Sequence, residues 1–207
     1  LIIAVLAVCC LRPPVAHAWD EVGHRVIAYI AWQHMTPAAR AEAVRLLHRA
    51  PWRSDLPRLF PTTGGPLPVR EATFFTLAST WPDVVRDRDH PERQERYHHG
   101  SWHYINYFWD QEGPGGAPRD RTDLQAAPQN AVERLGVMEE VLSTPLFASA
   151  QRAVALAWVL HLVGDLHQPL HTSARVTEAE PRGDQGGNLF RLDGDDRLHG
   201  YWDGIIR

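Results

Sequence analysis

The sequence predicts an all-α protein built as one domain. Three observations carry that expectation. Apolar residues recur at spacings of three and four. Thr-Pro pairs and Pro/Gly clusters stand where helices would start and stop. Strand-like alternation is weak everywhere, and there is no internal repeat or low-complexity tract. The length of 207 residues is that of one domain and is enough chain to bury a sizeable core.

The elements follow in order. Val22, Val26 and Ile30 share one face of a helix expected from Val22 to Met35. Thr36-Pro37 reads as an N-cap followed by Pro at the first helical position, opening a second helix to Arg49. Pro51 to Pro68 is rich in Pro and Gly and reads as loop. Glu71 to Thr80 is a third helix, interrupted at Trp81-Pro82, and Asp110 to Pro118 is again a Gly/Pro loop. Thr122 to Leu142 has helical pattern, with Thr122 and Asn130 as alternative caps. Thr144-Pro145 is expected to open the longest helix, which runs to Gln168 and stops at Pro169. Arg175 to Gly187 is polar and glycine-bearing, hence loop.

The segment 1–18 is expected to be a secretory signal, with residues 19–207 forming the mature domain. Leu1 to Leu11 is an apolar run, and Ala16-His17-Ala18 is a small-x-small cleavage site before Trp19. The run is too short to span a membrane. A buried N-terminal helix and a lipid-anchored Cys9 or Cys10 are the alternatives. The absent Met and charged leader suggest a missing 5′ end of the reading frame. Both cysteines of the chain fall in this segment, so disulfides are not expected to staple the mature protein. A secreted or periplasmic monomer follows as the expectation.

Charge argues against simple polyanion binding. The chain has no Lys, a formal net charge of -4, and loses Arg12 with the leader. Phosphate contacts usually come from Lys and Arg, but bound cations reverse such a balance locally.

The candidate chemistry lies among 12 histidines. The expected long helix contains His161-Leu162-Val163-Gly164-Asp165-Leu166-His167-Gln168-Pro169-Leu170-His171. Residues i and i+4 share a helix face, so His161 and Asp165 point the same way out of an apolar run. A carboxylate there is costly unless paired or metal-bound. Pro169 ends the helix and lets His171 turn back toward the same place. His199 and Asp203 repeat the spacing, and His24, His103 and Asp83 are further candidates. Imidazole and carboxylate without thiolate suit Zn²⁺ in a hydrolytic site, and this many donors suffice for two or three ions. His167 faces away from His161 and Asp165 and reads as core or as support to a ligand. His98 and His99 read as solvated, the Arg86 to Arg96 run as a solvated face, and the Trp residues beyond Trp19 mostly as core anchors.

In order along the chain these segments resemble the S1/P1 nuclease family, zinc-dependent nucleases sharing an all-α fold with zinc phospholipase C. The matching pieces are W-x4-H from Trp19 to His24, W-x-D-x-x-R from Trp81 to Arg86, and H-Y-I-N from His103 to Asn106. The eleven-residue His161–His171 element, G-D-x-G-G-N from Gly183 to Asn188, and L-H-x-x-W-D from Leu198 to Asp203 complete the set. The resemblance implies three zinc ions. One would be held by Asp83, His103, His161 and Asp165. A second would be held by the free amine and carbonyl of Trp19, by His24, and by Asp165 as a bridge. A third would be held by His171, His199 and Asp203. It further implies a water nucleophile activated between the first two ions, Arg86 as the cation facing the transition state, and 5′-phosphorylated products. Tyr104, Asn106 and Asn188 match positions near the nucleotide pocket, where stacking on Tyr104 would favour single-stranded nucleic acid. Whether 3′-nucleotidase activity accompanies endonuclease activity stays open. Relatives usually continue with further C-terminal helices, so the chain is expected to be incomplete at that end, and the Thr172 to Arg182 segment is longer than in some relatives. A zinc phospholipase C and a catalytically silent zinc or nucleic-acid binding protein are the rival readings. The short gap from Trp19 to His24, Asp at 203 and the G-D-x-G-G-N element favour the nuclease.

Overall fold

The computed structural model describes residues 19–194 and 196–206, so the expected leader lies outside the described residues. The fold is mostly helical, as the spacing predicts. Helix α1 spans Glu21–His34 and opens on Asp20, whose carboxylate accepts from the Val22 and Gly23 N–H groups. Helix α2 spans Pro37–Leu47, with the Thr36 hydroxyl accepting from Ala39 N–H and Pro37 at N1. Two 3₁₀ turns, Trp52–Ser54 and Leu56–Leu59, occupy the expected loop. Helices α3 (Leu67–Ala78), α4 (Trp81–Val84) and α5 (Pro91–Tyr97) follow. Helix α6 spans Ala131–Ser143, α7 Ser149–His167 and α8 Leu198–Asp203.

Three boundaries differ from the expectation for local reasons. Of the two possible caps, Asn130 is the one used: its side chain accepts from Val132 and Glu133, and Thr122 lies outside the helix. Thr144 closes α6 rather than opening α7. Pro145 holds the residue before it in extended backbone, and α7 starts only at Ser149, with the Gln151 side chain accepting from Ala148 N–H. Helix α5 was not expected, because its acidic and basic residues mask an apolar face reduced to Tyr97 and the buried stem of Arg93.

Helix α7 is the axis of the core. It packs against α6, α2, α1 and α4 and is buried on nearly all sides, from Ala153 to Asp165. Trp158 and Trp81 are each at most 1 % exposed and pack with Phe74, Phe75, Leu47 and Leu162. Burying side chains of this size supplies roughly 1.5–3 kcal/mol each, which is how a chain without disulfides among its described residues holds one core. Trp52 departs from the expectation that tryptophans are core anchors: it is 64 % exposed, beneath the Arg58 guanidinium.

A small sheet that the sequence did not announce stands beside this core. Strands β1 (Tyr107–Gln111), β2 (Pro118–Asp120) and β3 (Ser173–Arg175) lie in the order β2-β1-β3. The pair β1–β2 is antiparallel and β1–β3 parallel. A parallel pair needs a long crossover, and here α6 and α7 provide it. Strands of three to five residues are too short to show a period.

Candidate metal centre

Helix α7 delivers His161 and Asp165 one turn apart, each fully buried. Asp165 presents its two oxygens to different neighbours. Oδ2 lies 3.1 Å from His103 Nδ1 and 3.1 Å from His161 Nε2. Oδ1 lies 3.5 Å from His24 Nε2 and 3.6 Å from His171 Nδ1. Asp83, on α4, brings Oδ1 to 3.8 Å from His161 Nε2 and 3.9 Å from His103 Nδ1. The His161 and His103 nitrogens are 2.8 Å apart. A tetrahedral ion with ligands at about 2.0 Å separates its ligand atoms by about 3.3 Å, and these four donors scatter around that value.

Backbone carbonyls set the tautomers. His161 Nδ1 donates to Ser79 O at 2.8 Å, His171 Nδ1 to His103 O at 2.6 Å, and His199 Nδ1 to Gly186 O at 2.7 Å. Each therefore turns its Nε2 into the centre, the arrangement that orients imidazole ligands. Donors of His171, His199 and Asp203 form a compact group, all within 4.8 Å of one another. His199 Nε2 is 3.6 Å from Asp203 Oδ2.

Close packing places His24. Its ring stacks on His161 with centroids 4.0 Å apart. It rests where Gly164 leaves room: a Cβ there would lie 2.5 Å from His24 Nδ1. Trp19 is buried just ahead of α1, and the neighbouring Asp20 N–H donates to Asp203 O at 2.9 Å. The amino-terminal strap is thereby tied to α8.

The chemistry of this donor set fits a cation. Buried polar atoms without a hydrogen-bond partner among the described residues concentrate here. Those that face the donor cluster are Nε2 of His24 and of His171, Oδ1 of Asp83 and of Asp165, and Oδ2 of Asp203. Each such atom costs roughly 1–3 kcal/mol, and a cluster of them is tolerable where ions supply the missing partners. Burial lowers the pKa of His24 to about 3 and those of His103 and His199 to about 4, leaving neutral rings ready to ligate. Burial pushes Asp203 up to about 7, reinforced by Asp165 and Asp83 and opposed by Gln168. Burial also works against the Asp165 and Asp83 carboxylates, yet His161 above all holds both below their usual range.

Residues outside the donor set position it. Gln168 is fully buried; it donates to Asp203 Oδ1 at 2.8 Å and accepts from Leu170 N–H. Arg86 pairs with Asp83 at 2.9 Å. The turn carrying both is pinned from behind by α5, where Arg93 donates to Val84 O and Gln94 to Arg86 O. Trp81 anchors its start through an indole N–H to Ser54 O at 2.7 Å. Neither Gln168 nor α5 stood out in the sequence, since an amide is not a ligand type and the Arg-rich run looked like a solvated face.

Two histidine readings are corrected. His167 is exposed and donates to Val163 O of its own helix, so it neither joins the core nor supports a ligand. His98 and His99 are half-buried rather than solvated: His99 stacks on Trp102, and His98 is depressed by burial and then by Arg86. Tyr104 is 40 % exposed next to His103, and Asn106 is half-buried. Asn188 is half-buried and donates to Gln185 O.

A family model described as S1/P1 Nuclease matches residues 19–207. Nuclease P1 of Penicillium citrinum is 23 % identical over 190 residues, covering 89 % of this chain and 57 % of that protein. Endonuclease 2 of Arabidopsis thaliana is 28 % identical over 207 residues, covering 93 % of this chain and 57 % of that protein. The chain thus spans a little over half the length of these relatives.

Proposed function

The chain belongs to the S1/P1 nuclease family, and on that premise we propose that it is a zinc-dependent endonuclease of single-stranded DNA and RNA, acting outside the cytoplasm as a monomer and leaving 5′-phosphorylated products. The observation that carries the reading is Asp165, a fully buried carboxylate whose two oxygens face different imidazoles. In this reading Asp83, His103, His161 and Asp165 hold one zinc, His24 and Asp165 with the amine and carbonyl of Trp19 a second, and His171, His199 and Asp203 a third. Bound zinc supplies Lewis acidity toward a phosphoryl oxygen and lowers the pKa of water, so that hydroxide is available near neutral pH.

The chain's own residues supply orientation and charge. The carbonyls of Ser79, His103 and Gly186 fix the rings, and Gln168 fixes Asp203. Arg86, held by Asp83, offers a forked guanidinium to the charge that builds on the phosphoryl oxygens. Tyr104 is exposed enough to stack on an unpaired base, with Asn106 and Asn188 as the polar contacts of the base pocket. No helix among the described residues is long and apolar enough to cross a membrane.

Hydrolysis of denatured DNA, duplex DNA and phosphatidylcholine, each with and without chelator, tests the proposal. Chelator-sensitive cleavage of denatured DNA well ahead of duplex is expected. Turnover of lipid alone would assign the phospholipase reading, and zinc binding without any turnover would assign the silent one.

A further inference from the structure

One face of the small sheet is open. A shallow groove of ≈ 530 Å³ is lined by Tyr107, Trp109 and Gln111 of β1, Pro118 and Asp120 of β2, and Ser173 of β3. The register explains the lining: Tyr107 lies opposite Ser173, Trp109 opposite Asp120 and Gln111 opposite Pro118, and opposed residues project to the same side. Arg175, opposite Trp109, belongs to this face too, with its guanidinium carbon 5.9 Å from the Trp109 ring centre. The other face is closed, because Ala174 is buried and Phe108 packs so closely on Gly183 that a Cβ there would lie 3.0 Å from its ring.

Two features of the open face call for a ligand. Tyr107 is 58 % exposed beside a half-buried Trp109, two large rings left toward solvent on one strand. The buried Nε of Arg175 has no hydrogen-bond partner among the described residues. The Asp184 carboxylate is engaged by the Arg175 backbone N–H at 3.0 Å rather than by the guanidinium, which lies above an indole where a phosphate could meet it. Charge also differs across the face, with Arg175 on the β3 side of Trp109 and Asp120 on the β2 side.

The strands that floor the groove start close along the chain to two residues of the metal centre. Strand β1 begins four residues after His103 and β3 two residues after His171. Their junction is fixed by Ile105 N–H to His171 O at 2.8 Å and Tyr107 N–H to Thr172 O at 3.2 Å. Chain geometry alone keeps the Ser173 Cα within about 7.6 Å of the His171 Cα.

We propose that this sheet face is a binding track for single-stranded nucleic acid flanking the bond to be cleaved. Bases stack on Tyr107 and Trp109, and a phosphate meets Arg175, so the backbone follows the β3 side. Side chains two apart on a strand are about 6.7 Å apart, a separation that successive bases of an unstacked strand can reach. Aromatic residues on a sheet face are a recurrent platform for unpaired bases. The inference rests on the nuclease reading above.

The zinc-loaded protein is compared with Tyr107→Ala, with Tyr107→Ala/Trp109→Ala and with Arg175→Gln. Two readouts are taken: kcat/KM on a dinucleotide and on a 12-mer, and anisotropy titration with a phosphorothioate-linked 12-mer. Loss of stacking is worth roughly 1–3 kcal/mol per base, so about 5- to 150-fold weaker 12-mer binding and a matching fall in 12-mer kcat/KM are expected. Dinucleotide turnover and zinc content should hold. Tyr107→Ala, at an exposed ring, keeps the test valid if Trp109→Ala fails to fold. Unchanged 12-mer binding in every variant, or an equal fall on both substrates, would overturn the proposal. Absence of hydrolysis by the unaltered protein would instead count against the nuclease reading, and the titration, which needs no turnover, would still decide this one.

Discussion

At the scale of single residues, the donors were legible because their chemistry is rare and their spacing regular. His161 and Asp165 on one helix face, and His199 and Asp203 repeating the interval, are visible in the sequence, and the structure gathers them with His24, Asp83, His103 and His171. Gln168 was not legible: it matters because Asp203, 35 residues away, folds onto its amide. His167 misled because helical geometry fixes its face but not what covers that face. Its exposure and the two-sided contacts of Asp165 give opposite expectations for two neighbours. Asp165→Asn should lower kcat/KM by more than about 100-fold and release zinc, since even supporting partners of ligands cost 10- to 100-fold. His167→Ala should change both by less than twofold. Rates with elemental analysis of zinc decide, and equal losses would show that Asp165 is not a bridge.

At the scale of elements, helices were read from caps and periodicity, and those signals placed α1, α2 and α7 to within a few residues. The sheet escaped because its strands pair across a crossover of two helices, a relation that no local window contains. Helix α7 also illustrates a conflict between an element's own preference and its task. Ala at 164 would favour the isolated helix by about 1 kcal/mol. Yet its Cβ would stand 2.5 Å from His24 Nδ1 and displace that ring from the centre. Gly164→Ala is therefore expected to keep helical content, by circular dichroism, while losing zinc and activity. A variant with full zinc content would show that His24 does not need this gap.

At the scale of the molecule, one-domain architecture was legible from length and composition, and the gathering of ionisable groups was legible through the donors, whereas the depth of their burial was not. That burial makes the chelated protein sensitive to acid. His24, His103 and His199 have folded pKa values of about 3, 4 and 4 against an ordinary 6.5. As pH falls below about 6.5 the unfolded chain takes up protons that the folded chain refuses until about pH 4, so stability falls across that window. Asp203, raised to about 7, takes up a proton on folding in the same range and offsets one of the three. His161, opposed by burial but raised by Asp165 and Asp83, adds stability that is already complete below its ordinary value and offsets little of the rest. Calorimetry of the chelated protein should thus show a Tm several degrees lower at pH 4.5 than at pH 7. A flat profile would mean that the rings are not buried as neutral groups. Zinc, by binding only the folded state, should raise Tm at either pH.

The strap that joins Asp20 to Asp203 has a consequence for biogenesis. A ribosome releases His24 first and Asp203 some 180 residues later, and α7 must bury its carboxylate between them. Until α8 has emerged, the third donor group lacks two of its three members and the strap has nothing to grip. On the zinc reading, filling of the third donor group would therefore be a late event in the life of the chain, and a nascent or prematurely terminated product lacking α8 carries an incomplete donor set.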